Sequence, residues 1–517
     1  MRTIIFAVIF LLPLASLTLA VPTNARAMPA TATAPGPAKR PALVVAIVID
    51  QFRADYLTRF ERKFLPATSK QGLPGGFELL MSRGAYFPFA EYDILQSMTC
   101  PGHATILTGS YPYLAGIPLN DWNQGDERVY CAEDPDAALV GAAQKSPHAG
   151  TSPRNLLSTT FGDELKSSGQ PSRVVSLALK DRAAIMLGGH RADLALWLDS
   201  DARRWVSSRY YLPDGKLPAW VDELNKTPGP SYDAAATPVG IDVTEAAAER
   251  AIAAYDLGRG AGTDLLAISF SSHDYAGHAH GPNADEMEEM TIAEDRALAR
   301  LFGFIARRVP FERTLLVLTG DHGIPLTPEY AREHKLDGGR IDENAFTSEL
   351  ETKLVARFGK PSTGKWLPFA HDLNWFVSRR AVADAKLELK TVLDAVRDAV
   401  AAIPGIAYAF TLFDYEARRL PPGMHERQIL HTYFPGRSGD VIAIPRPYWI
   451  PGKDTAAHLT GYSFDRTVPL AIAGFGVKPG RYATSARVID IAPTLSWLSG
   501  VIPPTLSEGR VLNEIIR

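Results

Sequence analysis

The stretch "ALVVAIVID" (residues 42–50) is an unbroken apolar run, rich in β-branched residues, that ends on one carboxylate, Asp50. A strand with one solvated face alternates apolar and polar residues, whereas a run apolar at every position suits a parallel strand covered on both faces. Four later stretches repeat the pattern: "SRVVSLALKDR" (172–182), "DLLAISFSSHD" (264–274), "RTLLVLTGDHG" (313–323) and "VPLAIAGFGV" (468–477). Helical patterns lie between them, at "VTEAAAERAIAAYDLG" (243–258) and at 283–309. In the second, Asn283 is set to cap with Glu286 three residues on as in a capping box, and Met287, Met290, Ala293, Leu298, Leu301 and Ile305 form an apolar stripe. Alternating strands and helices predict an α/β fold, a doubly wound and mostly parallel sheet with helices on both faces. Near 111–160, 188–240 and 325–457 the rhythm breaks into stretches rich in Trp, Tyr, Pro and Gly, expected to be cap or lid insertions. "RVIDIAPTLSWLSG" (487–500) resumes the α/β rhythm, with Pro493 near the start of a helix, so 42–517 reads as one domain.

The chain of 517 residues is 46% hydrophobic and 21% charged, ordinary for a globular protein with a large core. Its 54 Lys plus Arg against 57 Asp plus Glu leave a formal charge of -3, which argues against binding nucleic-acid duplexes through a basic face. "MRTIIFAVIFLLPLASLTLA" (1–20) has the layout of a secretory signal peptide, with cleavage after Ala20 or, at "ARA", after Ala27. Residues 21–41 are Pro/Ala-rich and read as a flexible lead-in. A periplasmic or secreted product without a membrane anchor is expected. The two cysteines, Cys100 and Cys131, form an even count in an oxidising compartment, so a bridge between them is favoured over two free thiols.

In open α/β sheets ligands bind beyond the carboxyl ends of the strands, which is where the metal-binding residue types fall. Asp50 ends the first run. "SSHDYAGHAHGP" (271–282) spaces Asp274 and His278 four apart, on one face of a helical turn, with His273 and His280 as supporting or surface residues. "LTGDHGIP" (318–325) supplies adjacent Asp321 and His322, and "DTAAHLTGYSFDRTVPL" (454–470) supplies His458. Any one of these is ordinarily a cap or a satisfied core residue. Six at strand termini suit two divalent ions sharing a cleft.

A strand ending in Asp, a hydroxyl-bearing segment about fifty residues later, D-x-x-x-H, "GDHG" and a late H-x-T-G resemble, in that order, the alkaline phosphatase superfamily, and within it the exported PafA-like group with a threonine nucleophile. The resemblance spans roughly residues 42 to 500. It implies that Asp274, His278 and His458 hold one zinc, that Asp50, Asp321, His322 and the Thr99 oxygen hold a second, and that Asn120, Lys180 and Arg182 meet the phosphoryl oxygens. Lys180 and Arg182, two apart, would point to one side of an extended segment, where two cations suit a dianionic terminal phosphate. In "SMTCPGHATILTG" (97–109), Ser97 lacks the glycine-flanked elbow of serine hydrolases. Cys100 has His103 nearby as an activator. Thr-Cys-Pro-Gly-His matches the C-x-P-x-R pattern of the related sulfatases with Thr99 at the modified cysteine, which disfavours sulfatase activity. Pro101 and Gly102 are expected to set a turn, and the following helix to face phosphate with its N-terminal amides. His103 is expected to orient the loop.

The function so implied is a metal-dependent phosphate monoester hydrolase, an alkaline phosphatase acting on small-molecule esters through a phosphothreonine, with two Zn2+ ions and a monomeric chain. A phosphodiesterase or nucleotide pyrophosphatase on the same core is the nearest alternative. An exported phosphate- or metal-binding protein without turnover is the non-enzyme alternative, and a phosphoglycerate mutase-like enzyme is a distant third.

Overall fold

Strand β1 (Leu43–Ile49) lies inside a twelve-stranded sheet, and all seven of its residues are buried. The structure is a computed structural model that describes residues 40–67, 75–125, 127–142 and 150–517; the expected signal peptide and all but the last two residues of the lead-in lie outside the described residues. Leu43, Val45, Ile47 and Ile49 point into one core, beneath helices α3 (Pro238–Ala254) and α5 (Asp285–Ala306). Val44, Ala46 and Val48 point into a second, beneath a short helix at Phe161–Ser167 and helix α6 (Ile491–Ser499). Burial on both faces is the physical reason for the unbroken apolar run.

The central order is β2 (Gly84–Glu91), β8 (Thr467–Gly474), β7 (Thr314–Gly320), β1, β6 (Asp264–Phe270), β3 (Val174–Ala178), β4 (Leu194–Asp199) and β5 (Arg204–Ser208). From β7 to β4 every pairing is parallel, whereas β8 is antiparallel to both β7 and β2. Ile49 is in register with both Phe270 and Gly320, so Asp50 and Asp321 leave the sheet side by side. The entry to antiparallel β8 lies at this same end, which brings His458 there from the preceding loop.

The segment expected as an insertion at 188–240 contributes β4 and β5 to the sheet, because "LALWLD" is itself a buried strand. Residues 325–457 carry a four-stranded antiparallel sheet, Phe369–His371, Asn374–Phe376, Val441–Pro445 and Ile406–Thr411, packed with helices at Glu343–Phe358 and Leu389–Ala401. Helix α5 starts at Asp285 with Ala284 as its cap, one residue later than the capping box predicts. Asn283 instead accepts a hydrogen bond from Arg59, and acidic Asp285, Glu286 and Glu288 stabilise the first turn through the helix dipole. Its expected stripe is buried except for partly buried Ala293. Among the described residues no helix is long and apolar enough to cross a membrane.

Ile47→Ala, in the middle of β1, should lower unfolding free energy by about 2–5 kcal/mol through the lost contact and the cavity left behind, measured as the shift in denaturant midpoint.

Candidate metal centre and its cleft

Four structural elements converge at the carboxyl ends of β1, β6 and β7. Asp50 and Asp321 leave β1 and β7; Asp274 and His278 sit on helix α4 (Ser272–His280), with His278 Nε2 3.2 Å from Asp274 Oδ1; His458 comes from the loop before β8, its Nε2 3.5 Å from the same oxygen. Thr99 is the first residue of helix α1 (Thr99–Thr108). The Lys180 ammonium bridges Asp50 (2.6 Å) and Asp274 (2.5 Å) and lies 3.4 Å from Thr99 Oγ1. All six expected metal ligands are thus brought together with Thr99 and Lys180.

Each of the three histidines is anchored in the same way. His278, His322 and His458 set Nδ1 against the backbone carbonyls of Ala456, Gly323 and Ser97, at 2.9, 3.0 and 2.7 Å. A carbonyl only accepts, so Nδ1 holds the proton and Nε2 offers its lone pair to the cleft, the ligating tautomer. Burial pulls His322 down to about 3, so its imidazole is neutral at physiological pH. Burial and the Asp321 charge push Asp50 well above the usual carboxylate range, against the pull of Lys180. Burial raises Asp274 too, but Lys180 and His278 outweigh it and hold it well below. Asp50 Oδ1 and His322 Nε2 are buried without a hydrogen-bond partner, and Asp321 Oδ2 faces only ring nitrogens, His103 Nδ1 at 3.1 Å and His322 Nε2 at 3.2 Å. An orphaned carboxylate oxygen and an orphaned imidazole nitrogen around excess buried negative charge fit bound divalent cations.

Ligand atoms of Asp274, His322 and His458 lie within 4.8 Å of one another, as do those of Asp50, His103 and Asp321. This grouping differs from the expected partition by drawing His322 toward His458, whose ring centroid is 3.6 Å away, and by adding His103. Both His103 nitrogens already have partners, Thr99 O at 2.9 Å and Ser269 Oγ at 2.8 Å, as befits a side chain that supports the loop.

Three local expectations are corrected. Pro101 and Gly102 lie inside α1 rather than in a turn before it; proline is tolerated in a first turn, where its missing N–H has no helical partner to lose. Of the first-turn amides, Cys100 N–H is taken by Asn120 Oδ1 (2.9 Å) and so does not face the cleft. Lys180 and Arg182 do not share an extended segment: β3 stops at Ala178, Lys180 caps helix α2 (Asp181–Gly188), and Arg182 is in its first turn. Both still line one cleft of about 890 Å³, together with Asp274, His278, Tyr130 and Tyr275. Cys100 and Cys131 form a disulfide.

Sequence reading missed three supporting residues. Gln51 adopts a left-handed backbone (φ 64°) right after Asp50, donates its side-chain amide to Asp274 Oδ1 (2.7 Å), and gives its backbone N–H to Asp321 Oδ1 (2.9 Å). Asp465 accepts from the backbone N–H groups of Leu459 and Thr460, which fixes the turn after His458, and its carbonyl accepts from Gly323 N–H. Tyr130 donates to Asp181 Oδ1 at 2.6 Å beside Arg182. Gln51 directly follows Asp50, an expected ligand, which was the one available hint; the other two act only through the fold.

The type I phosphodiesterase / nucleotide pyrophosphatase family model matches residues 44–462. Alkaline phosphatase PafA of Elizabethkingia meningoseptica is 30% identical over 533 residues, spanning 92% of this chain and 95% of that protein. The chain belongs to this family, in its PafA-like group. A second PafA-like relative, alkaline phosphatase PhoV of Synechococcus elongatus, is also 30% identical, over 92% of this chain and 93% of its own. The crystal structure of wild-type PafA superposes with a TM-score of 0.85 at 29% identity, covering 92% of this chain and 99% of that one. The doubly wound α/β architecture is therefore that of a PafA-like alkaline phosphatase.

Helix α1 approaches β7 so closely that a Cβ on Gly102 would lie 2.5 Å from Asp321 O and 2.9 Å from its Cβ. Gly102→Ala should displace Asp321 and weaken divalent-cation affinity by roughly 10–100-fold, read by titrating metal-stripped protein with Zn2+.

Proposed function

We propose that the protein is a metal-dependent phosphate monoester hydrolase, an alkaline phosphatase that works through a phosphothreonine at Thr99. The observation that carries this reading is the buried Thr99 hydroxyl, held at the start of α1 beside Lys180 and a set of three carboxylates and three imidazoles that present Nε2. Two zinc ions, one assigned to Asp274, His278 and His458 and the other to Asp50, Asp321, His322 and Thr99, would supply positive charge that lowers hydroxyl pKa and stabilises the departing alkoxide. Thr99 Oγ1 attacks phosphorus in line, the bond to the ester oxygen breaks, and the alcohol leaves. Water on the opposite side then displaces Thr99 and releases inorganic phosphate.

The chain's own cations do the electrostatic work on the phosphoryl group. Burial opposes the charge on Lys180, but Asp274 and Asp50 overcome it and raise the ammonium above its ordinary value, so it stays charged beside the hydroxyl oxygen. Arg182 is likewise held cationic by Tyr130 and Asp181 against burial. With Asn120, these groups are assigned to the equatorial oxygens, where fixed donors stabilise charge that grows in the transition state. A diester carries one negative charge fewer and one substituent more, so two cations at the cleft favour monoesters. The near full-length PafA and PhoV relatives, both named alkaline phosphatases, support this preference. The disulfide next to Thr99 supports an exported protein, because such bridges persist in oxidising compartments.

Thr99→Ala should reduce turnover of p-nitrophenyl phosphate by roughly a thousandfold or more while bound zinc persists; undiminished turnover would remove Thr99 as nucleophile. Wild-type kcat/KM should be higher for p-nitrophenyl phosphate than for its bis-ester, and the reverse order would assign the chain to the diesterases. Chelation should abolish hydrolysis and lower Tm, with Zn2+ restoring both.

A further inference from the structure

Arg182 has a long side chain with many rotamers, so a role at a phosphoryl oxygen requires something to hold it. Its Nε is buried without a partner. The restraint comes from Tyr130, at the end of the hairpin strand Glu127–Tyr130 and only 6% exposed. The Tyr130 hydroxyl donates to Asp181 Oδ1 at 2.6 Å, the same oxygen accepts the Arg182 backbone N–H at 2.7 Å, and Tyr130 and Arg182 line the cleft together. The phenol therefore ties the end of the hairpin to the first turn of α2, with its proton committed to the Asp181 oxygen that also holds the Arg182 backbone.

The residue after Tyr130 is Cys131, bridged to Cys100, the residue after Thr99. Asn120 staples the same junction twice: its carbonyl accepts from Cys131 N–H (2.8 Å) and its side-chain oxygen from Cys100 N–H (2.9 Å). Covalent and hydrogen-bonded links thus close a ring that runs from Thr99 through Cys100, Cys131, Tyr130, Arg182 and Lys180, and returns by the 3.4 Å approach of Lys180 Nζ to Thr99 Oγ1. We infer that Tyr130 is a positioning residue that fixes Arg182 and, through the Cys100–Cys131 bridge, sets its separation from Thr99. The inference rests on the reading of Arg182 as a contact for the terminal phosphoryl oxygens. A monoester presents three non-bridging oxygens and a diester two, so a loosened Arg182 penalises the monoester more.

The test compares Tyr130→Phe and a Cys100→Ala/Cys131→Ala double variant with wild type in the full chain. It measures kcat and KM on p-nitrophenyl phosphate and its bis-ester, inorganic phosphate affinity by calorimetry, zinc content and Tm. Tyr130→Phe removes one hydrogen bond to a charged group, so the monoester-to-diester ratio of kcat/KM and the phosphate affinity should each fall roughly tenfold at unchanged zinc content. The double variant should shift both in the same direction. An unchanged ratio with unchanged phosphate affinity, or an equal fall on both esters, would overturn the inference. Should the double variant not fold, Tyr130→Phe decides alone. Wild-type protein without monoester turnover would sink the hydrolase reading, and the phosphate-affinity comparison would still decide the role of Tyr130.

Discussion

Asp50, Asp274 and Asp321 are buried together against one ammonium, Lys180, and the surrounding structure is arranged around that imbalance. Moving an ionised carboxylate out of water costs several kcal/mol even after relaxation, and a single cation offsets only part of the cost for three. Lys180 is the cation paired with these carboxylates, Arg182 stands at the same cleft beside Asp181, and the protein adds groups of another kind. It provides imidazoles with Nδ1 tied to carbonyls, and a carboxylate oxygen left without a donor. That donor set is electrostatically incomplete without positive ions. The strain of holding it falls on the sheet, where β1 is paired along its full length on both sides and cannot bend to expose Asp50.

The sheet transmits position to chemistry through register. Because Ile49 pairs with Phe270 and Gly320, the first residues beyond the strands arrive at one level, and the short helix α4 then turns Asp274 and His278 back over them. His458 reaches the same place from the opposite strand direction, and needs its own clamp. Asp465 supplies it by accepting from Leu459 N–H, Thr460 N–H and Thr460 Oγ1 and by joining the Gly323 backbone to the same turn. Burial raises the Asp465 carboxyl to about 6, against the pull of its Thr460 hydrogen bonds, which reflects a clamp built in an apolar setting. Gly277 leaves room for the Gln51 side chain, so α4 and β1 interlock at the point where Asp274 and Asp50 face each other across Lys180.

The parts of the fold that were legible in the sequence are those fixed by local pattern. Near-continuous apolar runs of strand length read as strands buried on both faces, and three of them ran on into Asp50, Asp274 and Asp321, which could be placed at one edge without knowing the strand order. His278 followed from a four-residue helical spacing. What failed was local geometry decided by distant partners. Asn283 has the right identity for a cap, but its oxygen is taken by Arg59, and α5 starts beyond it. Lys180 and Arg182 looked like neighbours on one side of a strand; the chain turns into α2 between them, and they share the cleft for a different reason. Gln51 was marked only by its place after Asp50, its partner lying 223 residues away, and Tyr130 and Asp465, with partners 51 and 5 or 6 residues away, were marked by nothing in their immediate surroundings.

The same electrostatics weigh against a site built only to hold phosphate. A pocket lined by three carboxylates repels a phosphate dianion, so binding there depends on cations that neutralise the carboxylates first. A passive receptor would gain nothing from a hydroxyl buried to 1% exposure at the start of a helix, when an amide or a guanidinium would serve as the better donor. In the hydrolase proposed above, the Thr99 hydroxyl would serve through one property that other donors lack, its capacity to become a nucleophile when positive charge lowers its pKa. The disulfide at Cys100 and the Asn120 oxygen on Cys100 N–H hold that hydroxyl's backbone from two sides. Such restraint matters little for binding, which tolerates adjustment, and much for in-line attack, where a displacement of about 1 Å can cost a hundredfold in rate.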